Sequence, residues 1–214
     1  MRRFKYDSEK HPFSDIIEDV LGVDCLHRLH YDTRVLLDAP LTRATDQSTE
    51  FHKLFYSRIA DLLPLYHSFL EDRIAHNIDG GGRLVYQKTP NIRIHFPGNV
   101  AVGEWHRDRD YGHQPRALNV WLPLTPTNEQ NTVWVESQRQ SPKAYPLLLT
   151  PGEYAIFSGV DLKHGNKINE SGQTRVSLDF RVMREEDYDP HWPGKSINTG
   201  TPHLIGGYYE RLPQ

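Results

Sequence analysis

A run of short β-type segments fills the middle of the chain and constrains the fold more than any other feature. It begins after the break Asp79-Gly80-Gly81-Gly82 and continues without an intervening helical pattern. The segments are RLVYQ, IRIHF, VAVGEWH, ALNVWLPL, TVWVES, EYAIFSG and TRVSLDFRV. Each is rich in β-branched and aromatic residues, and turn sequences such as Pro97-Gly98-Asn99 separate them. Many short strands without crossover helices predict a β-sandwich or jelly roll.

The first eighty residues show a helical pattern instead. SDIIEDVL follows Pro12 and stops at Gly22, a usual helix end. From about Ser48 to His76 apolar residues recur at spacings of three and four, which predicts one buried stripe. Pro64 lies inside this segment, so we expect a kink or the start of a second helix there.

These patterns predict an α+β fold with a β-sandwich or jelly-roll core and N-terminal helices packed on one face. We expect a single domain over residues 1–214. Within it, residues 1–80 form a mainly helical support, residues 81–185 the jelly-roll core, and residues 186–214 an irregular C-terminal tail.

Composition narrows the class of function. The 214 residues include one cysteine, Cys25, so no intrachain disulfide is possible and a reducing, cytoplasmic setting is expected. The start, MRRFKYDSEK, is basic but no apolar stretch follows it, and no run approaches the roughly 20 apolar residues of a membrane span. The formal charge is −3, with 25 basic and 28 acidic residues intermixed. This balance predicts no nucleic-acid or membrane partner, and it leaves the oligomeric state open.

The segment GEWHRDRDY contains candidate metal ligands. If VAVGEWH is a strand, side-chain alternation directs Glu104, His106 and Asp108 to one side. A second histidine, His164, lies 58 residues on, after EYAIFSG in the turn-like sequence LKHGN. Two histidines and one carboxylate form the facial triad of non-haem iron(II) oxygenases. A structural zinc site would prefer a closed set with thiolates.

The segment Arg175-Val176-Ser177 strengthens this interpretation, because a His-x-Asp pair alone is weak evidence. Arg175 and Ser177 share a face, and a guanidinium with a neighbouring hydroxyl is suited to clamp a carboxylate. A dicarboxylic cosubstrate needs one end on the metal and the other end held in this way. Arg181 is six residues further, roughly 20 Å along a strand. We therefore expect Arg181 to pair with a carboxylate at the far end of the barrel.

WHRD, LKHGN and TRVSLDF together resemble the Fe(II)/2-oxoglutarate-dependent dioxygenase superfamily, whose fold is the double-stranded β-helix. The block NIRIHFPGNVAVGEWHRDRDYGHQPRALNVWLPLT, followed by NTVWVES, is more narrowly similar to streptomycin-biosynthesis-type proteins, distant relatives of the phytanoyl-CoA hydroxylase group. The resemblance covers about residues 83–183. It implies that His106, Asp108 and His164 bind Fe(II), and that Arg175 and Ser177 bind the far carboxylate of 2-oxoglutarate. It says little about the substrate.

Secondary candidates lie on the same strands and loops. Asn119 and Trp121 share a face of ALNVWLPL; Asn119 is a candidate donor to 2-oxoglutarate or an ordinary hydrogen-bonded barrel asparagine, and Trp121 is a candidate substrate contact. Arg93 suits an acidic substrate group or an outward salt bridge. Tyr111 and His113 follow the metal motif in a loop at the expected mouth, where they are candidate substrate contacts.

The sequence therefore predicts an Fe(II)- and 2-oxoglutarate-dependent oxygenase that uses O2 and hydroxylates a small molecule, an amino acid or a biosynthetic intermediate, with release of succinate and CO2. Ring closure and desaturation stay open, whereas a carboxylate at Asp108 argues against halogenation. Two alternatives remain. One is a cupin-type metalloenzyme that uses no 2-oxoglutarate, and the other is a non-catalytic jelly-roll binding protein.

Overall fold

The computed structural model describes residues 1–35, 45, 48–78, 83–101, 104–197 and 199–213. Its strands are all arranged in two antiparallel sheets. In chain order they are β1 (Arg2–Lys5), β2 (Leu84–Gln87), β3 (Asn91–His95), β4 (Leu118–Pro123), β5 (Val133–Glu136), β6 (Ala144–Pro146), β7 (Glu153–Phe157), β8 (His164–Asn166), β9 (Arg175–Arg184) and β10 (Tyr209–Arg211). The expected break at residues 79–82 lies outside the described residues.

The larger sheet has the order β1-β7-β4-β9-β2-β10, and β3 also pairs with β9. The ten-residue strand β9 is buried on both faces, apart from its last residue. Its apolar side chains, from Val176 to Val182 in alternation, join the core beneath the helices. The alternate residues from Arg175 to Arg181 are polar or charged and belong to the opposite face. One strand thus separates the apolar core from a charged layer.

The helices lie in the N-terminal part of the chain, as predicted. They are α1 (Phe13–Leu21), α2 (Glu50–Ser57), α3 (Ile59–Phe69) and α4 (Ala75–Asn77), with a π-helical turn (Leu70–Ile74) joining the last two. The α+β class, with antiparallel sheets and few helices, is confirmed. No helix in the described ranges is long and apolar enough to cross a membrane.

The predicted helix boundaries hold for α1 but not for the longer segment. Gly22 closes α1 in the left-handed conformation, with φ 62°. The longer segment breaks at Arg58, and Pro64 lies inside α3. The reason is tertiary: the Arg58 guanidinium donates to the backbone carbonyls of Asp19 and Val20 at the end of α1. The break therefore occurs where the side chain can satisfy those carbonyls.

The smaller sheet has the order β6-β5-β8. The sequence LKHGN, expected to be a turn, instead contributes β8, which pairs with β5 so that His164 lies opposite Val135. The described part of VAVGEWH is not a strand, and residues 102–103 lie outside the described residues. A single bridge between His106 and His164 takes its place. Two strands, β1 and β10, fall outside the stretch from which strands were predicted, and they pair with β7 and β2.

Candidate metal centre

The three residues of the predicted triad converge at one point. Asp108 Oδ1 lies 3.6 Å from His106 Nε2 and 3.5 Å from His164 Nε2, and the three candidate ligand atoms are all within 4.8 Å of one another. The backbone bridge sets the two histidines side by side, through N–H to O distances of 3.0 and 2.9 Å. Asp108 opens a 3-10 turn and donates its N–H to Gly159 O at 2.8 Å. The local backbone therefore builds the cluster without a strand at residues 104–108.

The outer hydrogen bonds of both histidines fix which ring nitrogen carries the proton. His106 Nδ1 donates to Glu104 O at 2.7 Å, and His164 Nδ1 donates to Leu162 O at 3.0 Å. A carbonyl can only accept, so in each neutral ring Nε2 keeps its lone pair. Two imidazole lone pairs and a carboxylate oxygen then face one another. Such a set of acceptors is satisfied by a cation between them, and backbone carbonyls on the outer nitrogens are typical of metal-binding histidines.

The charge state of the cluster also suits a metal. Burial would raise the pKa of Asp108, but the Arg181 guanidinium and the two histidines outweigh it and hold the pKa well below its usual range. Burial lowers the pKa of His164, so its ring is neutral at pH 7. The centre therefore offers an ionised carboxylate and a neutral imidazole, the forms that coordinate metals.

Arg181 is placed differently from the prediction. Its Nε donates to Asp108 Oδ2 at 2.9 Å, and its Nη2 lies 3.3 Å from Asp108 Oδ1. The prediction that it pairs with a carboxylate at the far end of the barrel was wrong, since its partner belongs to the triad. The prediction relied on the distance along the strand and on Arg175 being nearer to His164, whereas the Asp108 carboxylate lies within hydrogen-bond distance of Arg181.

A cavity of about 490 Å³, counted with the open space at its mouth, adjoins the triad histidines. Both sheets contribute to its wall, β4 and β9 from the larger and β5 and β8 from the smaller. Among the predicted residues, the wall contains His106, His164, Arg93, Asn119, Trp121 and Arg175. The structure thus brings most of the candidates into one space.

Arg175 lies fully buried in this wall, with neutral partners. Its guanidinium donates to Asn131 O at 3.0 Å, Ser177 Oγ at 2.8 Å and Asn166 Oδ1 at 3.2 Å. Burial, with a contribution from Arg93, lowers its pKa to about 9, so it is still charged at pH 7. No carboxylate of the described residues forms an ion pair with it. A buried cation without a counterion is costly, and an anionic ligand would relieve that cost.

Two further polar atoms of the wall are buried without a hydrogen-bond partner in the described structure. They are Asn119 Oδ1 and Trp121 Nε1. The Trp121 ring centre lies 5.9 Å from the Arg175 guanidinium carbon, so the unused indole N–H belongs to the Arg175 end of the cavity. Buried polar groups usually find partners, and these two mark positions where a ligand can supply one.

The remaining candidates differ in their positions. Arg93 lines the cavity and forms an ion pair with Asp179 at 2.6 Å. The Tyr111 ring packs edge-on against His106, with ring centres 4.8 Å apart. His113 is buried and stacks on His203 at 4.2 Å, and it is not among the described residues of the cavity wall. The structure therefore gives no support to a substrate role for His113.

Sequence reasoning missed the charged residue Asp179, the pairing of Arg181 with Asp108, and the acceptors Asn131 and Asn166. The even spacing from Arg175 in TRVSLDFRV already placed Asp179 and Arg181 on its face. The two asparagines are far from β9 along the chain or on another strand, so spacing gave no signal for them.

The streptomycin biosynthesis protein StrG of Streptomyces griseus is 35% identical to this chain over 210 residues, which are 98% of each sequence. This chain belongs to the StrG family. The predicted resemblance to streptomycin-biosynthesis-type proteins is thereby confirmed. No family model matches the chain.

Two solved structures show the fold that the StrG-family chain adopts. SnoK, a non-heme alpha ketoglutarate dependent carbocyclase from nogalamycin biosynthesis, aligns with a TM-score of 0.51 and 14% identity over 97% of this chain and 88% of SnoK. CytC3, in a structure with Fe(II) and alpha-ketoglutarate, aligns with a TM-score of 0.51 and 16% identity over 95% of this chain and 77% of CytC3. Sequence identities this low establish a shared fold but not a shared function.

Proposed function

We propose that this StrG-family protein is an Fe(II)- and 2-oxoglutarate-dependent oxygenase that hydroxylates a small molecule and releases succinate and CO2. The observation that carries the proposal is one cavity with two complementary ends. The His106, Asp108 and His164 acceptors converge at one end, and the buried Arg175 without a counterion lies at the other. A 2-oxo diacid is chemically complementary to these two groups, because its oxo acid end chelates a metal and its far carboxylate pairs with a guanidinium.

In this proposal His106 Nε2, Asp108 Oδ1 and His164 Nε2 hold the iron, and the backbone carbonyls behind the histidines keep both rings oriented. Bound iron(II) supplies the activation of O2 that is coupled to oxidative decarboxylation of 2-oxoglutarate. The chain's own work is to bind and orient. This choice of cosubstrate is supported by the fold shared with SnoK, which is described as alpha ketoglutarate dependent, and with CytC3, whose structure contains Fe(II) and alpha-ketoglutarate.

Arg175 and Ser177 are proposed to bind the far carboxylate. Ser177 Oγ accepts a hydrogen bond from Arg175 Nη1, which leaves the hydroxyl proton available to a ligand. The unpartnered Trp121 N–H near Arg175 favours a contact with the cosubstrate over the predicted contact with substrate. Asn119 lines the same cavity and is proposed to donate a hydrogen bond to 2-oxoglutarate from its amide nitrogen.

Substrate recognition is assigned to Tyr111 and Arg93. Tyr111 lies against His106, and Arg93 lines the cavity. We propose that an amino acid or biosynthetic intermediate binds there. SnoK is described as a carbocyclase, so ring closure is the main competitor to hydroxylation. A third structure of this fold, SnoN, is described as an epimerase; it aligns with a TM-score of 0.51 and 14% identity over 97% of this chain and 90% of SnoN.

We also propose that the two sheets form a double-stranded β-helix within one domain spanning residues 1–214. The support is the cavity itself, whose wall draws on strands of both sheets. Residues 1–80 are the helical support, 81–185 the core and 186–214 the tail, with β1 and β10 returning to the larger sheet.

The test combines binding with turnover. Purified protein is loaded anaerobically with Fe(II), titrated with 2-oxoglutarate by calorimetry, and then exposed to O2 with a panel of amino acids and related small molecules. Iron-dependent succinate release, absent in Asp108→Ala, supports the proposal. Iron binding without 2-oxoglutarate binding favours the cupin-type alternative, and binding of neither favours the non-catalytic one. A product that has gained one oxygen atom indicates hydroxylation, whereas loss of two hydrogens indicates ring closure or desaturation.

A further inference from the structure

A row of alternating charges runs along the inner face of β9 and ends at the triad. Asp108 pairs with Arg181, Arg181 with Asp179, and Asp179 with Arg93. We propose that Arg181 is a positioning residue of the metal centre, which holds Asp108 Oδ2 so that Oδ1 alone is presented to the metal. This inference rests on the metal site proposed above.

The two carboxylate oxygens of Asp108 have different neighbours. Oδ2 accepts from Arg181 Nε at 2.9 Å, whereas Oδ1 is directed at both histidine Nε2 atoms, at 3.5 and 3.6 Å. The second Arg181 contact, Nη2 to Oδ1, is longer at 3.3 Å. A carboxylate with both oxygens unrestrained can rotate and chelate a metal through both. The Arg181 contact opposes that rotation and so keeps a coordination position open for cosubstrate or O2.

Arg181 is itself held in place before any ligand binds. Its Nη1 donates to Asp179 Oδ2, and its backbone N–H donates to the Gln87 side chain at 3.1 Å. Asp179 also accepts from Arg93 Nε at 2.6 Å and from Asn91 Nδ2 at 3.1 Å. The Arg181 side chain is only 7% exposed. A guanidinium fixed on two sides has one orientation in which to hold the carboxylate, as is required of a preorganised support.

Positioning and simple charge neutralisation predict opposite signs for metal affinity. Arg181 is a cation beside a cation site, so removing it lessens repulsion, and a group that only neutralised Asp108 would leave a tighter metal site behind. A group that orients the carboxylate leaves a weaker one. Without Arg181, burial would also raise the pKa of Asp108, so affinities are compared at a pH above which they no longer rise and the carboxylate is ionised in every protein. The direction of the change then separates the two roles.

The experiment titrates Co(II) and, anaerobically, Fe(II) into wild type, Arg181→Met and Arg181→Lys at a temperature where circular dichroism shows each metal-free protein to be folded. We expect Arg181→Met to weaken metal binding by roughly 10- to 100-fold, as for other supporting residues of metal ligands. The visible Co(II) spectrum should change because the carboxylate becomes free to chelate. Arg181→Lys retains the charge and is expected to recover part of the affinity. It also keeps the test valid if Arg181→Met does not fold.

Arg184→Met is the matched control, since Arg184 lies on the same strand but pairs with Glu186 and Asp187 at the surface. Its metal affinity and Co(II) spectrum should equal those of wild type. Unchanged or tighter binding with an unchanged spectrum in both Arg181 variants would overturn the positioning role. Failure of wild type to bind either metal would instead overturn the proposed function.

Discussion

The proposed binding of 2-oxoglutarate by Arg175 gives a quantitative prediction for the replacement Arg175→Gln. A guanidinium has five N–H groups, and four acceptors surround this one: Asn131 O, Ser177 Oγ, Asn166 Oδ1 and His95 Nδ1. Five donors less four acceptors leave one N–H for a ligand carboxylate. A hydrogen bond to a charged group contributes about 1.5–3 kcal/mol, so its loss should raise the dissociation constant of 2-oxoglutarate by about 10- to 150-fold.

The assay compares two acids by calorimetry on the Fe(II)-loaded protein without O2. The first is 2-oxoglutarate, and the second is 2-oxobutyrate, which has the same metal-chelating end but no far carboxylate. Arg175→Gln should weaken the binding of 2-oxoglutarate and leave the affinity for 2-oxobutyrate unchanged. Replacement of an exposed arginine, Arg116→Gln, should alter neither affinity. Equal weakening of both acids in Arg175→Gln would refute the clamp, because the damage would then lie at the metal end.

Three further outcomes are expected. Asp108→Ala should lose most of its Fe(II) affinity when Fe(II) is titrated anaerobically by calorimetry. An affinity equal to that of wild type would show that Asp108 is not a ligand. Burial lowers the pKa of His95 to about 4, below the value of about 6.5 for an unfolded chain, so the unfolded state takes up the proton first. The free energy of unfolding should therefore fall by up to about 3 kcal/mol as the pH drops from 6.5 to 4. Urea titrations at a series of pH values measure this dependence, which should be weaker in His95→Gln and unchanged in the exposed His191→Gln. A Cβ on Gly165 would lie 2.9 Å from the Trp105 ring, so Gly165→Ala should displace Trp105 and lower the midpoint of thermal unfolding; an unchanged midpoint would show that the ring moves freely.

The sequence identified the triad and Arg175 because local spacing and family resemblance both mark them. The triad residues come together although the described part of the segment expected to present them is not a strand, since one backbone bridge between His106 and His164 brings the two histidines side by side. The position of Arg181 was beyond that reasoning. The alternation of side chains along a strand predicts the face on which Arg181 lies. It does not predict which loop packs on that face, because this depends on the contact between Arg181 and Asp108, which are 73 positions apart.

The missed elements have the same cause. The strands β1 and β10 contain only four and three residues and carry charged sequences, so they become strands only because β7 and β2 supply the partners. The break at Arg58 likewise depends on carbonyls of α1. These features are decided by tertiary contacts, which override local propensity.

The burial of β9 on both faces has a consequence for folding fidelity. Side chains alternate along a strand, so a slip of one residue against its neighbours exchanges the two faces. In β9 that slip would move Arg175, Asp179 and Arg181 into the apolar layer beneath the helices and turn Val176 and Phe180 toward the cavity. Even if Asp179 and Arg181 stay paired with each other, burying these three charges in an apolar layer is far more costly than the loss of any single packing contact. A molecule with β9 out of register is therefore strongly disfavoured. The charges that are proposed to serve catalysis thus also favour the native register of the central strand.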